Sequence, residues 1–240
     1  MQAVIMAGGK GVRLKPLTDK IPKCMVKVKN KPLLENIFDV LLKAGVSEFV
    51  LVVGYLREVI EDYFGPDYMG AKISYVVQEE PKGTAHAVSL TETLIIGDFL
   101  VVNADVLTSS ENISKLVKVS EFEDFDALLL AKKVSNPWRY GVLKVENEFV
   151  VDIVEKPNVG EEPGNLINAG IYRFPKRFFE SVKETRLSVR KEFELVDSIR
   201  IFISKGGKVG YKVIEGTFCH ITDFDDLVMA NKISDDIFPK

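Results

Sequence analysis

A short glycine-rich segment near the amino terminus has the residue types that bind phosphate. Gly8, Gly9 and Gly11 directly follow an apolar run at residues 3–7. Glycines allow a sharp turn that brings backbone N–H groups against an anion, because no Cβ stands in the way. Residues 10–31 carry eight basic side chains against one acid, Asp19, although the whole chain has a net charge of −3. This segment is therefore predicted to bind a polyphosphate.

Two common glycine motifs do not fit this segment. The dinucleotide fingerprint G-x-G-x-x-G needs a glycine where Arg13 or Leu14 stands, and the Walker motif needs a Gly-Lys-Ser/Thr that does not follow at the required spacing. The pattern that remains is G-G-x-G-x-R-L-x-P-L-T, followed by Pro22-Lys23 and by NKP at 30–32.

This pattern resembles the opening motif of the sugar-1-phosphate nucleotidylyltransferases, which include glucose-1-phosphate thymidylyl- and uridylyltransferases and mannose-1-phosphate guanylyltransferases. Further motifs stand in the family's order over nearly the whole chain: QEEPKGTAHAV at 78–88, FLVVNADVL at 99–107, YGVLKV at 140–145, EKP at 155–157, NAGIYRF at 168–174, EFELVD at 192–197 and HITDFDDLVMAN at 220–231. The resemblance implies an enzyme that joins an NTP to a sugar 1-phosphate, giving an NDP-sugar and pyrophosphate.

The resemblance also implies a role for each matched residue. Arg13 and Lys23 would contact the β- and γ-phosphates and the pyrophosphate, and Lys156 would contact the sugar phosphate. A guanidinium such as that of Arg13 can bind two phosphate oxygens in fixed geometry and keeps its charge. The implied nucleotide-binding residues are Ala7, Gly8, Gly9, Gly11, Gln78, Gly83 and Thr84. The implied sugar-binding residues are Gly141, Glu155, Asn168 and Gly170.

Asp105 and His220 are the candidate metal ligands. Asp105 follows the apolar run 99–102, so it is expected at the carboxyl end of a strand, where open α/β sheets bind ligands. Its carboxylate suits Mg²⁺. His220 stands where the family has an aspartate, and an imidazole ligand would also suit Mn²⁺ or Co²⁺. Two alternatives remain open here: Asp223 supplies the second ligand, or Asp105 caps a helix that begins near Ser110.

Gln78 is the basis for predicting the base. Its amide offers a donor and an acceptor, which match the O4 and N3–H groups of uracil or thymine. UTP or dTTP is therefore expected. One alternative is a mannose-1-phosphate guanylyltransferase that uses GTP. The other is a non-catalytic, nucleotide-binding regulatory subunit, which the unusual His220 suggests.

Hydrophobic patterning predicts the elements that position these residues. Apolar runs at 3–7, 48–53, 73–77, 99–103 and 126–131 alternate with helical patterns. This alternation predicts a doubly wound α/β fold around a mainly parallel, Rossmann-like sheet. Helices are predicted at 33–42, ended by Gly45, and at 85–94, 110–119 and 224–233.

From Tyr140 onward the pattern changes to short paired strands. A hairpin of 141–146 and 149–154, joined at residues 146–148, is expected to form an antiparallel excursion that binds the sugar and has no core of its own. Pro157 predicts an extended backbone at the preceding Glu155 and Lys156, which would place these two side chains on opposite sides.

Length and composition limit the class of protein. The chain has 240 residues, of which 46% are hydrophobic and 28% are charged. These values predict one folded catalytic domain over residues 1–240 and exclude a disordered chain. No apolar stretch reaches the length of about 18 residues that a membrane helix needs. The two cysteines lack metal-type spacing and fit a reducing compartment, so a cytoplasmic location is predicted. The expected partners are small-molecule substrates, with no nucleic acid and no membrane, and a homo-oligomer is left open.

Overall fold

The computed structural model describes residues 1–118 and 124–233, in which strands and helices alternate. The strands are β1 (Gln2–Met6), β2 (Lys27–Val28), β3 (Lys31–Pro32), β4 (Glu48–Val53), β5 (Asp67–Tyr68), β6 (Ala71–Val77), β7 (Phe99–Asn103), β8 (Val106–Thr108), β9 (Ala127–Lys133), β10 (Gly141–Glu146), β11 (Phe149–Glu155), β12 (Leu166–Phe174), β13 (Val209–Val213) and β14 (Phe218–His220). The helices are α1 (Leu33–Lys43), α2 (Arg57–Phe64), α3 (Thr84–Ser89), α4 (Ser110–Val117), α5 (Phe178–Glu184), α6 (Leu195–Ser204) and α7 (Phe224–Lys232).

Ten of these strands form one mixed sheet in the order β10-β11-β13-β9-β12-β7-β1-β4-β6-β5. Its centre is a parallel block in which β1 pairs with β4 and β7, and β4 pairs with β6. The hairpin of β10 and β11 continues the same sheet at one edge. The predicted mainly parallel α/β fold with an antiparallel part is confirmed.

Helices cover both faces of this sheet. Along β1, Ala3 and Ile5 enter one buried cluster and Val4 enters the other, as the period of two along a strand requires. Residues of α1, α2, α4 and α7 belong to the first cluster. Residues of α3, α5 and α6 belong to the second, which also includes Leu143, Val150 and Ile153 of the hairpin. The hairpin therefore shares a core with the rest of the sheet, as expected.

The strand β12 was not predicted, and it changes the sheet. It lies between β7 and β9 and is antiparallel to both. Its pairing with β9 shifts register between Asn168 and Tyr172, next to Gly170 at φ +75°. This irregularity interrupts the alternation of apolar residues by which a central strand can be read from sequence.

The predicted helices agree with the structure at three places and differ at one. Helix α1 ends before Gly45, whose φ of +99° suits the position after a helix. Helices α4 and α7 agree, with residue 119 outside the described part of the chain. The helix predicted at 85–94 is wrong beyond Ser89. There the Ser89 and Thr91 hydroxyls bond the carbonyls of His86 and Val88, and tighter turns follow. Helices α2, α5 and α6 were not predicted.

A helix with the length and apolar character needed to span a membrane does not occur within residues 1–118 and 124–233.

Candidate active site

The glycine loop connects β1 to a short helical turn at Val12–Leu14. Gly11 has a φ of +60°, and a Cβ there would lie 2.8 Å from the Lys23 Cβ and 3.0 Å from a Thr18 methyl group. Leu14 is fully buried and anchors the turn, whereas Arg13 next to it is exposed. The sequence therefore needs glycine at position 11 for two reasons, the left-handed backbone and the close approach of Lys23.

The loop forms one wall of a cavity of about 460 Å³ at the carboxyl ends of the parallel strands. This is the sheet edge at which open α/β folds bind ligands, and the volume is within the range of small-molecule sites. The cavity brings together ten of the predicted residues: Ala7, Gly8, Gly9, Gly11, Arg13, Lys23, Gln78, Gly83, Thr84 and Asp105.

The Gln78 amide follows β6 and is almost fully buried. Its Nε2 donates to the Gly83 carbonyl at 3.1 Å and lies 3.0 Å from the His86 Nδ1. Both amide hydrogens are used, so the donor that we assigned to a base is already engaged. The oxygen Oε1 faces Gly8, 3.4 Å from the position that a Cβ on this glycine would take. The amide thus offers an acceptor to the cavity.

Gly83 and Thr84 are bound to the segment that leads into α6. A Cβ on Gly83 would lie 2.4 Å from the Phe193 carbonyl oxygen, and the φ of Gly83 is +111°. The space that a side chain would take at this glycine is thus occupied by the Phe193 backbone. Thr84 Oγ1 accepts a hydrogen bond from Leu195 N at 2.9 Å.

A second cavity of about 270 Å³ adjoins the first. All the predicted sugar-side residues line it: Gly141, Glu155, Lys156, Asn168 and Gly170. The two cavities share Met6, Arg13, Thr84, Asn103 and Glu192. Arg13 therefore stands where the two halves of the cleft meet.

Arg190, Glu155 and Glu194 form a charged network in the second cavity. The Arg190 guanidinium donates to both Glu194 oxygens, at 2.9 and 2.6 Å, and lies 3.4 Å from Glu155 Oε1. The hydrogen bonds from Arg190 lower the pKa of Glu194, and those to Glu194 raise the pKa of Arg190. Gly141 makes room for this network, since a Cβ there would lie 2.9 Å from Glu155 Oε2. Arg190 and Glu194 are therefore both charged at neutral pH.

The backbone at Lys156 differs from the prediction. Its φ is +47°, so the residue before Pro157 is left-handed and the predicted extended conformation is wrong. The Lys156 N–H donates to the Tyr140 carbonyl at 3.0 Å, which ties this turn to the residue before β10. A non-glycine residue in this region carries a cost of about 1–3 kcal/mol, and such strain is concentrated at functional sites.

Asn168 and Gly170 form the irregular part of β12. Asn168 Nδ2 donates to the Tyr172 hydroxyl at 2.7 Å, and the Gly170 N–H donates to Asn168 Oδ1 at 3.1 Å. A Cβ on Gly170 would lie 2.4 Å from Asn103 Nδ2. Hydrogen bonds within the strand thus hold the Asn168 amide, and the glycine lets Asn103 approach.

Asp105 lies in the turn between β7 and β8, as predicted from the run before it. Its Oδ2 is 2.5 Å from Lys23 Nζ and 3.4 Å from His220 Nε2. Burial alone would raise the pKa of Asp105, but His220 and Lys23 outweigh burial and hold this pKa well below its usual range. The other oxygen, Oδ1, is buried without a hydrogen-bond partner in the described part of the chain. The carboxylate is ionised and has one oxygen left to bind a cation.

The alternative positions for the metal ligands have other tasks in the structure. Ser109, not Asp105, caps α4, since its hydroxyl accepts from Asn112 N. Asp223 caps α7 by accepting from Asp226 N at 3.1 Å, and its Oδ2 lies 3.7 Å from an Arg139 nitrogen. His220 is at the end of β14, which pairs with β8 and places His220 opposite Val106. Of the two candidates for the second ligand, His220 is the one beside Asp105.

Several cavity residues were not among the predicted site residues. Asn103, Arg139, Arg190 and Glu192 line the two cavities, and His86 lies behind them in contact with the Gln78 amide. The one signal in the sequence was the spacing of Arg190 and Glu194, four residues apart, which suits an ion pair. The other residues reach the cleft through long-range strand and helix contacts.

Comparisons with known proteins identify similar sequences and folds. The sequence profile of the nucleotidyl transferase family matches residues 2–235. A UTP–glucose-1-phosphate uridylyltransferase of Haloferax volcanii is 37% identical over 222 residues, which covers 90% of this chain and 89% of that protein. The bifunctional protein GlmU of Methanococcus vannielii is 37% identical over 218 residues, and the matched part is 50% of its length. A solved structure of UDP-glucose pyrophosphorylase complexed with UDP-glucose is similar, with a TM-score of 0.86 and 25% identity, over 96% of this chain and 97% of that one.

Replacing Gly11 by alanine should destabilise the fold through the loop. The alanine must adopt a φ of +60° with its Cβ 2.8 Å from the Lys23 Cβ. We expect the free energy of unfolding, measured by urea denaturation, to fall by about 1–3 kcal/mol. Gly9→Ala is the matched control, because a Cβ at Gly9 meets nothing within 4 Å, and it should change stability by less than about 0.5 kcal/mol. Equal effects of the two substitutions would contradict this account of the loop.

Proposed function

The chain belongs to the sugar-1-phosphate nucleotidylyltransferases of the nucleotidyl transferase family, and on this premise we propose that its nucleotide substrate is UTP or dTTP. It is an enzyme that transfers a nucleotidyl group from an NTP to a sugar 1-phosphate. The observation that supports nucleotidyl transfer at this site is the pair of adjoining cavities that share Arg13. One has the glycine loop and Gln78, and the other has Glu155 and Lys156, so the two substrates would meet at Arg13.

The reaction needs no nucleophile from the protein. An anionic oxygen of the sugar phosphate attacks the α-phosphorus of the NTP, and the bond from that phosphorus to the bridging oxygen breaks and releases pyrophosphate. Cys24 lines the nucleotide cavity, but burial raises its pKa to about 12, so it remains a thiol. Catalysis therefore consists of positioning two anions and balancing their charge.

The basic residues divide this work between the two phosphates. We propose that Arg13 and Lys23 contact the pyrophosphate part of the NTP, where negative charge grows as the bond breaks. Lys156, together with Arg190, which was not predicted, would hold the sugar phosphate in line for the attack. Support comes from the positions of these residues along the cleft: Lys23 on the nucleotide side, Lys156 and Arg190 on the sugar side, and Arg13 on both.

We propose a Mg²⁺ cofactor held by Asp105 and His220. The buried Asp105 Oδ1 without a partner in the described part of the chain fits a cation, and His220 Nε2 is near the other oxygen of the same carboxylate. Among the described residues no three His, Cys, Asp or Glu side chains form a metal cluster. A Mg²⁺ ion in a nucleotide site needs only one or two ligands from the protein, because phosphate oxygens and waters complete its coordination shell. When bound, the metal would neutralise phosphate charge.

Two further properties remain proposals. Residues 1–240 would act as one catalytic domain, which the single large sheet with a core on each face supports. The protein would be cytoplasmic, which its two free, buried cysteines support.

A matrix of nucleotides and sugar phosphates tests the proposed activity. Purified protein with UTP, dTTP, GTP, CTP or ATP and a set of sugar 1-phosphates should release pyrophosphate fastest with UTP or dTTP. The physical reason is the acceptor Gln78 Oε1 in the nucleotide cavity, together with the Phe193 backbone, which fills the space at Gly83 and would favour a small base. A higher kcat/KM with GTP would support a guanylyltransferase. Pyrophosphate release with no pair, despite nucleotide binding, would support a regulatory subunit.

Arg13→Ala should lower kcat about 10²–10³-fold and should change the KM for the NTP much less, because the charge on the pyrophosphate grows in the transition state. Steady-state kinetics of pyrophosphate release measures both constants. Arg57→Ala is the control, since Arg57 is a surface arginine paired with Glu58 that does not line the cleft. A higher KM with unchanged kcat would show that Arg13 binds substrate and transition state alike.

The metal ligands can be separated by substitution. EDTA should abolish activity, and Mn²⁺ or Co²⁺ should restore it at least as well as Mg²⁺, because imidazole suits these metals. His220→Ala should weaken Mn²⁺ binding, measured by electron paramagnetic resonance, at least about tenfold. Asp223→Ala should leave Mn²⁺ affinity unchanged and should destabilise the fold by about 1 kcal/mol through loss of the α7 cap. The reverse result, with Mn²⁺ affinity lost only in Asp223→Ala, would make Asp223 the ligand.

A further inference from the structure

We propose that His86 is a positioning residue that fixes the Gln78 amide, so that the enzyme reads the imino N–H group of the nucleobase through Gln78 Oε1. The inference rests on the proposed function, because it specifies how the nucleotide cavity selects its base. It gives His86 a role in specificity, beyond packing on the surface of α3.

The orientation of the Gln78 amide follows from its two neighbours. The Gly83 carbonyl can only accept a hydrogen bond, and it lies 3.1 Å from Gln78 Nε2. A rotated amide would place Oε1 against this carbonyl oxygen, and two acceptors would face each other. Nε2 therefore points to Gly83 and uses one hydrogen there. Its second hydrogen is directed to His86 Nδ1, 3.0 Å away.

This contact also determines the tautomer of His86. Because Gln78 Nε2 is a donor, His86 Nδ1 must be the acceptor, and the proton of the neutral ring is on its Nε2. Burial lowers the pKa of His86, and the charge of Lys82 lowers it further, so the neutral ring is favoured. A protonated ring would present a donor to a donor. The Gln78 amide and the His86 ring therefore fit together in one arrangement, with Gln78 Nε2 as the donor and an unprotonated His86 Nδ1 as the acceptor.

His86 holds the amide from helix α3, and the Gly83 carbonyl holds it from the loop before that helix. His86 belongs to α3, whose neighbouring residues Ala85 and Ala87 are buried in the core. Gly83 belongs to the loop before that helix and has a left-handed backbone. A glutamine amide held by the loop carbonyl alone would have one buried hydrogen without an acceptor, which costs about 1–3 kcal/mol. His86 removes this cost and holds Oε1 toward the cavity.

A fixed acceptor at this position distinguishes bases by one ring nitrogen, which carries either a hydrogen or a lone pair. Uracil and thymine carry N–H at N3, and guanine carries N–H at N1. Cytosine and adenine have a lone pair at the corresponding position. An acceptor facing a lone pair leaves both groups unpaired in a buried place, which discriminates strongly. His86 therefore supports selection of UTP and dTTP over CTP, and the size of the cavity would add to it.

The test compares His86→Leu, which removes the acceptor, with His86→Asn, whose Oδ1 can take the place of the ring Nδ1. The values measured are kcat and KM for UTP and CTP with one sugar 1-phosphate. We expect His86→Leu to lower the UTP-to-CTP ratio of kcat/KM about tenfold or more. The loss should come from a higher KM for UTP with nearly unchanged kcat, because the base is bound alike in both states. His86→Asn should keep the ratio within about threefold.

Each result decides the proposal. An unchanged ratio in His86→Leu, or an equal loss in His86→Asn, would overturn it. If His86→Leu fails to fold, as checked by circular dichroism, His86→Phe keeps a ring of similar shape without the nitrogen and takes its place. If the wild type prefers GTP, the GTP-to-ATP ratio replaces the first ratio with the same expectation. If the wild type releases no pyrophosphate, the proposed function fails, and calorimetric affinities for UTP and CTP still test His86.

Discussion

The ion pair between Lys23 and Asp105 joins the segment packed against the glycine loop to the carboxyl end of β7, and the geometry of the site depends on it. Gly11 lets the loop approach the Lys23 side chain, Lys23 reaches Asp105 at 2.5 Å, and Asp105 brings in His220 from β14. Removing one member of such a mostly buried pair leaves the other charge unbalanced, at a typical cost of about 3–5 kcal/mol. The residues proposed to bind phosphate and the residues proposed to bind a cation are therefore built as one unit.

A second connection runs between the two halves of the cleft. Phe193 N donates to the Lys82 carbonyl, Ala85 N donates to the Phe193 carbonyl, and Leu195 N donates to Thr84 Oγ1. The loop that carries Gly83 is thus attached to the segment that carries Arg190 and Glu194. Two backbone hydrogen bonds and one hydrogen bond to a side-chain hydroxyl therefore connect the two sides of the cleft.

A structural feature could be predicted from the sequence where neighbouring residues determine it, and could not where contacts distant in the sequence determine it. The strands β1 and β7, the end of α1 at Gly45 and the turn at Asp105 follow from short patterns, and all agree with the structure. The insertion of β12 between β7 and β9 does not follow from a short pattern, because nothing within residues 166–174 specifies which strands they pair with. The left-handed Lys156 also escaped prediction, since the local rule for a residue before proline points the other way. There the tertiary contact with Tyr140 prevails over the local preference.

The same distinction explains why residue types suggested the chemistry of the site more readily than its details. A glutamine amide can face a base in two ways, as donor or as acceptor, and the sequence around Gln78 does not choose between them. The choice is made by the Gly83 carbonyl and the His86 ring, which the start of α3 brings within 3.1 Å of the amide nitrogen. With the role proposed for His86, base preference is set one layer behind the atom that would contact the base, where a substitution alters recognition without removing a contact to the nucleotide.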